Sequence, residues 1–246
     1  GDSGDGMQLT GSLFADMSAV SGNELSTFPD YPAEIRAPHG TVSGVSGFQV
    51  HIGSEDVSTP GDYCDLLVAM NPAALKANAR WCKRHAIILC DIDAFDASGL
   101  EKAGFATDNP FAELGVEDRM IIPAPITTLT LESLKNSGLD RKSALKCKNM
   151  FILGMACFIY NRRLDYVYGY IGRRFEKKHP EFIEPNKKVV RDGFNYAANM
   201  QLIPNTYIVE PAKNLKKGTY RNINGNQALA WGLLAAAEKS GLQLFC

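Results

Sequence analysis

The sequence contains no G-x-x-x-x-G-K-S/T phosphate loop and no G-x-G-x-x-G dinucleotide fingerprint, so neither of the common glycine-loop nucleotide motifs is available to it. Its six cysteines, at 64, 82, 90, 147, 157 and 246, form no C-x-x-C pair. That spacing argues against a thiolate zinc site or a cysteine-held iron–sulfur cluster within the chain. Three of them lie in apolar runs, where cysteine acts as a small hydrophobe; the expectation is reduced thiols and a cytoplasmic protein. No apolar stretch reaches the roughly 18 residues of a membrane span. Charge excess is missing too: 26 Lys and Arg against 27 Asp and Glu give a net charge of −1. No global field favours nucleic acid or an acidic membrane. Internal repeats, low-complexity segments and a signal peptide are also absent from the 246 residues.

What is present begins at once. Gly1-Asp2-Ser3-Gly4-Asp5-Gly6 is a glycine-rich turn, and Met7-Gln8-Leu9-Thr10-Gly11 runs from it into a helical pattern. Glycines let a ligand approach a backbone more closely than a Cβ would permit. A helix N-terminus after such a turn presents open N–H groups and partial positive charge to an anion. Asp2 and Asp5 complicate this, because carboxylates repel an anion. They must point away, bond the turn's own N–H groups, or meet a hydroxyl or cation. A tight turn into a helix with no ligand remains the plain alternative. Such a turn ordinarily follows a buried strand; with none ahead of Gly1, the chain is expected to be trimmed at its front.

The first 126 residues alternate between strand and helix patterns. Leu9, Leu13, Met17 and Val20 recur at helical spacing, and Gly22 suits the stop. Phe48, Val50 and Ile52 alternate with polar residues, predicting a half-buried strand. Cys64–Met70, His85–Cys90 and Met120–Ile126 are continuous apolar runs, the last with two prolines that suit a short or edge strand. Ala73–Lys83 between the first two runs reads as helix. Buried strands separated by helices predict an α/β domain with a mostly parallel sheet covered on both faces.

From about residue 128 helices dominate. Leu131–Asn136 is predicted as one short turn. Ser143–Asn161 is predicted as one buried helix, apolar nearly all round. Leu164–Phe175 and Lys187–Met200 are further helices. Arg173–Arg191 carries seven Lys and Arg against three Glu, read as a solvated helix face rather than a nucleic-acid patch. Residues 201–222 read as a linker, with Gly1–Met200 as one domain before it. Gly225–Ala237 starts a small-residue helix, the opening of a second α/β domain over 223–246 that is expected to be truncated. His39 and His51 share no metal-ligand spacing and are given structural roles.

Taken in order, Gly1–Gly11, Thr27-Phe28-Pro29-Asp30-Tyr31-Pro32-Ala33-Glu34-Ile35-Arg36-Ala37-Pro38, Gly40–Phe48, Asn71-Pro72-Ala73-Ala74-Leu75-Lys76 and Gly225-Asn226-Gln227-Ala228 resemble a known family. The chain is similar to the alpha subunit of 2-oxoacid:ferredoxin oxidoreductases of the 2-oxoglutarate type. There a gamma domain is fused in front of a pyrimidine-binding domain, and the resemblance covers essentially the whole chain. It implies a three-layer α/β/α gamma domain that helps bind coenzyme A and caps an active site. A 2-oxoacid plus CoA would become acyl-CoA, CO2 and reduced ferredoxin. By motif, Gly1, Asp2, Ser3, Gly4, Asp5, Gly6 and Met7 would contact the CoA pyrophosphate, with Thr10 close behind.

Asn71, at the carboxyl end of a buried strand, would add a ligand contact. Arg36 would take a phosphate or the substrate's distal carboxylate, with a surface ion pair as its alternative. No catalytic residue and no metal ligand is expected in this chain. The family's Tyr-Pro-Ile-Thr-Pro stretch is missing, and so is a magnesium motif for thiamine diphosphate. Thiamine diphosphate, magnesium and an iron–sulfur (4Fe-4S) cluster are therefore expected in the full complex, the cofactor and a cluster on a beta subunit, with ferredoxin reached through a hetero-oligomer. Two other classes stay open: a stand-alone module binding a phosphate ligand, and a non-catalytic assembly domain.

Overall fold

The computed structural model describes residues 1–2, 4–31, 45–200, 206–214, 216 and 218–244. Ser3, Arg36, His39 and the motif residues from 32 to 44 lie outside the described residues. The chain divides into two compact units, Gly1–Lys213 and Asn214–Cys246.

The first unit is built on α1 (Met7–Val20), an antiparallel pair β1 (Glu24–Asp30) and β2 (Gly47–Gly53), and a parallel sheet. That sheet has the order β3-β4-β5, from β3 (Cys64–Ala69), β4 (Cys82–Asp91) and β5 (Met120–Ala124). Between β3 and β4 lies α2 (Pro72–Asn78); between β4 and β5 lie α3 (Ala97–Lys102) and α4 (Pro110–Glu113). β4 is central and buried throughout from Ala86 to Asp91, which accounts for its unbroken apolar run. Its residues alternate between two cores. Ile87 and Leu89 join Leu13, Met17 and Phe151 on one face, while Ala86, Ile88 and Cys90 join Ala74, Leu75 and Val116 on the other. Helices cover both faces, giving three layers. β5 is an edge strand and tolerates Pro123 there.

The half-buried strand expected from the alternating Phe48–Ile52 segment is β2, paired antiparallel with β1 in register Thr27↔Val50. Two local expectations are corrected. The helix expected over Ala73–Lys83 stops at Asn78; a short 3₁₀ turn follows and β4 already begins at Cys82. The helix expected over Ser143–Asn161 is two: α6 (Arg141–Leu145) and α7 (Lys148–Ile159). At the break Lys146 and Cys147 donate to Ser143 and Ala144, three residues back, so the helix tightens and restarts.

Before the break lies α5 (Ile126–Ser133); after α7 come α8 (Asp165–Phe175) and α9 (Ile183–Asn199). α7 is buried from Asn149 to Cys157, and α9 lies directly against it. Gly154 and Gly193 make this possible. A Cβ on Gly154 would overlap the Val190 carbonyl and come 2.7 Å from the Phe194 nitrogen; one on Gly193 would overlap the Phe151 carbonyl. Around this backbone contact pack the ring pairs Phe158–Phe194 and Phe151–Tyr196, at 5.5 and 5.7 Å between centroids.

The described part of the 201–222 segment is hydrogen-bonded to the first unit up to Lys213. Tyr207 donates to Ile159 O at 2.7 Å, Asn23 to Glu210 O at 2.7 Å, and Ala212 to Gly22 O at 2.8 Å. The second unit contains α10 (Gly225–Ser240). A capping box of Asn224 and Gln227 starts it, and Gly241, at φ +69°, ends it.

Gly154→Ala or Gly193→Ala should each cost about 1–3 kcal/mol through backbone overlap, read as a lowered urea midpoint. Gly172→Ala in α8, where a Cβ meets nothing within 4 Å, should be neutral or stabilising. Equal effects at the three positions would contradict the proposed packing.

Candidate functional site

Gly6 turns the chain into α1 with φ +72°, a conformation glycine adopts without strain. No described side chain caps the helix, so the amides of its first turn stay open. A Cβ on Gly6 would come 2.5 Å from Asn149 Nδ2, so the turn is also seated against the start of α7. Gly4 is different: a Cβ there meets nothing within 4 Å, so its face is open. Gly1 is anchored by exchanged backbone bonds with Ser46, at 2.8 and 3.0 Å.

The two carboxylates that complicate an anion site each have a partner, with Asp5 mostly buried and Asp2 exposed. Asp5 accepts the Asp2 N–H through Oδ2 at 2.8 Å and meets Lys148 Nζ through Oδ1 at 2.7 Å. Asp2 accepts from Asn71 Nδ2 at 3.0 Å. Lys148 and Asp5 are mostly buried, 21% and 11% exposed, so this pair is screened far less than a surface one. The acidic side chains thus bond the turn itself and a cation.

Asn71 caps α2 by accepting from Ala74 N at 2.8 Å, while its amide nitrogen ties the end of β3 to the turn. Thr10 lies one turn into α1; its hydroxyl donates to the Gly6 and Asn149 carbonyls, at 3.3 and 3.4 Å. Met7 is half-buried against the main core. The structure therefore brings Gly1, Asp2, Gly4, Asp5, Gly6, Met7, Thr10 and Asn71 into one neighbourhood. Beside it a cleft of about 490 Å³ is lined by Gly1, Met7 and Thr10, with Phe48, Leu66 and Tyr160 among its apolar walls.

Lys148, Asn149, Asp91 and Thr127 belong to the same region and were not singled out from the sequence. Lys148 carried a signal: it is the one charged residue of α7 and stands at the helix N-terminus, where the dipole disfavours a cation. Asp91 ends β4 fully buried and accepts from Thr127 N and Oγ1, at 3.2 and 2.6 Å. Asp93 does the same for Thr128, so two carboxylates cap the start of α5. Burial raises the Asp91 carboxyl above its usual 3.8; the Thr127 bonds and Lys148 oppose this. Among the described residues, no group of three or more His, Cys, Asp or Glu side chains is placed to hold a metal ion, and no helix is long and apolar enough to cross a membrane.

A glycine turn at the carboxyl ends of parallel strands, entering an uncapped helix, is the ligand-site geometry of open α/β sheets. The chain belongs to the pyruvate ferredoxin/flavodoxin oxidoreductase family, whose family model matches residues 1–196. It is 43% identical over 242 residues to the 2-oxoglutarate oxidoreductase subunit KorA of Mycobacterium tuberculosis, which takes in 98% of this chain and 37% of that protein. The chain thus spans well under half the length of that relative. Its fold matches 2-oxoglutarate:ferredoxin oxidoreductase from Magnetococcus marinus, solved with 2-oxoglutarate, coenzyme A and succinyl-CoA, at a TM-score of 0.66 and 20% identity. That match covers 98% of this chain and 41% of the other. It also matches a keto/oxoacid ferredoxin oxidoreductase gamma subunit from Geobacter sulfurreducens, TM-score 0.52 and 16% identity, over 80% of this chain and 94% of that one.

Because the folded-state value of Asp91 is raised, the native state holds this proton more tightly than the unfolded chain. Its contribution to stability is full below 3.8 and is lost as pH rises through the folded value. The stability difference between the unsubstituted protein and Asp91→Asn should shift in that sense across this window. A pH-independent difference would contradict the burial effect.

Proposed function

We propose that this chain is the gamma-domain part of the alpha subunit of a 2-oxoacid:ferredoxin oxidoreductase, followed by the start of a pyrimidine-binding domain. Its substrate is 2-oxoglutarate, converted with CoA to succinyl-CoA and CO2 while ferredoxin is reduced. The observation that carries the reading is the turn itself: an open Gly4 face and an uncapped α1, with Asp5 paired to Lys148 and Asp2 to Asn71. Those N–H groups meet the CoA pyrophosphate. The adjoining cleft gives the ligand's uncharged arm apolar walls. Identity to KorA over nearly the whole chain supports the 2-oxoglutarate assignment. A fold match over 94% of an oxidoreductase gamma subunit supports the domain assignment.

In this reading Gly1, Asp2, Ser3, Gly4, Asp5, Gly6 and Met7 form the pyrophosphate turn. Asp5 and Asp2 shape it through Lys148 and Asn71, and Thr10 fixes its helix. Arg36 takes a phosphate or the substrate's distal carboxylate. By the family resemblance we place thiamine diphosphate, its magnesium and the 4Fe-4S cluster on a beta subunit, and the work of this chain is to hold CoA and close the site over it. Free cysteines throughout the described residues suit a cytoplasmic setting.

Gly4→Val keeps the fold, because its Cβ meets nothing, but puts a branched side chain where the ligand approaches. In the assembled enzyme it should raise the KM for CoA at least about tenfold, near 1.4 kcal/mol, with the KM for the 2-oxoacid unchanged. An unchanged CoA value would make the turn a plain strand-to-helix connection. The alpha subunit purified alone should show no 2-oxoglutarate-dependent dye reduction, and adding the beta subunit should restore it. Activity of the isolated subunit would overturn the division of labour.

A further inference from the structure

Cys64 and Cys82 open β3 and β4 and face each other in register, their sulfurs 3.9 Å apart. Paired residues on neighbouring strands have Cα atoms about 5 Å apart, within the span a disulfide bridges. The sulfurs then need only close to about 2.05 Å. The β3–β4 register is irregular between Cys64 and Leu66, so the Cys64–Cys82 pair stands apart from the regular ladder that starts at Leu66. A second tie holds the strands at the same level: Lys83 reaches across to both Asp65 oxygens, at 2.8 and 2.9 Å. Access is present too, because Cys64 is only part-buried and lines the 490 Å³ cleft, while Cys82 is buried behind it.

We propose that Cys64 and Cys82 form a peroxide-sensitive dithiol that closes to a disulfide across β3 and β4. The Cys64 thiolate attacks a peroxide oxygen; the S–O bond forms, the O–O bond breaks, and the leaving oxygen departs as water after taking a proton. The Cys82 sulfur then attacks the Cys64 sulfenic acid. The S–S bond forms, the S–O bond breaks, and the hydroxyl leaves with the Cys82 proton as a second water. The two thiols lose two electrons and hydrogen peroxide gains them.

The surroundings select this pair. Contact with Cys82 lowers the Cys64 thiol, against burial and Asp65, and the same contact raises Cys82. Cys64 lines the cleft and Cys82 is buried, so Cys64 is the sulfur that peroxide reaches. Burial pushes Cys90 and Cys157 up to about 12 and Cys147 to about 11, which leaves them unreactive. The closed loop would contain α2 and Asn71, the cap that ties β3 to the glycine turn. This proposal rests on the strand geometry and is independent of the assignment of the turn to CoA.

The test is to treat the full-length protein with hydrogen peroxide under otherwise anaerobic conditions, alkylate free thiols, digest, and map the cysteines by mass spectrometry. A peptide pair joining Cys64 to Cys82, short of two hydrogens and separated by dithiothreitol, is expected, with Cys90, Cys147 and Cys157 alkylated. Cys64→Ser should leave Cys82 alkylatable. Cys82→Ser should leave a Cys64 sulfenic acid that dimedone captures. In the unsubstituted protein, recovery of Cys64 and Cys82 as free thiols after peroxide would overturn the proposal. So would a dimedone-labelled Cys64 with no cross-link, or preferential oxidation of the three buried cysteines.

Discussion

The contact on which the rest of the first unit depends is the meeting of two helix backbones at Gly154 and Gly193. An all-round apolar α7 is stable only when covered on every side, and here α9 covers one side at a separation that admits no Cβ. Rings from both helices pack around that contact, and the other side of α7 faces α1 and the sheet. A helix held this closely cannot shift along its axis without breaking backbone packing. Its N-terminus is therefore a fixed point, and it presents Lys148 and Asn149 to the glycine turn.

From that fixed point the electrostatics of the turn follow. A cation at a helix N-terminus is unfavourable alone, but Lys148 is compensated by Asp5 at 2.7 Å. Asp5 also accepts the Asp2 N–H, and Asp2 accepts the amide of Asn71. A chain of pairings thus runs from the core helix through the turn to the carboxyl end of β3. Its effect is to hold the Asp5 carboxylate in a mostly buried ion pair behind the turn. At the end of β4 the arrangement is the reverse: Asp91 and Asp93 bring carboxylates onto the first N–H groups of α5, where Pro125 gives no side-chain cap.

Much of this architecture was legible in the residues. The apolar runs at Cys64–Met70, His85–Cys90 and Met120–Ile126 became β3, β4 and β5, and the central β4, buried on both faces, left the most continuous apolar signature. β1 left none: Ser26, Pro29 and Asp30 interrupt it, and its stability comes from pairing with β2. The break at Lys146–Cys147 was hidden because no proline or glycine marks it. At the site, glycine spacing exposed the turn and Asn71-Pro72 exposed a strand end. Lys148 was invisible as a partner of Asp5, since the two are far apart in sequence and only the fold of α7 against α1 brings them together. The facing of Cys64 and Cys82 was hidden for the same reason: it depends on strand register.

The central claim is that the turn at Gly1–Met7 holds the pyrophosphate of CoA. A structure of the assembled enzyme with CoA bound tests it most directly. The prediction is pyrophosphate oxygens within about 3.2 Å of backbone amides in this turn, with the Asp5–Lys148 pair intact behind it. Pyrophosphate bound elsewhere, with the turn empty, would contradict the claim and leave the glycines as a structural entry to α1.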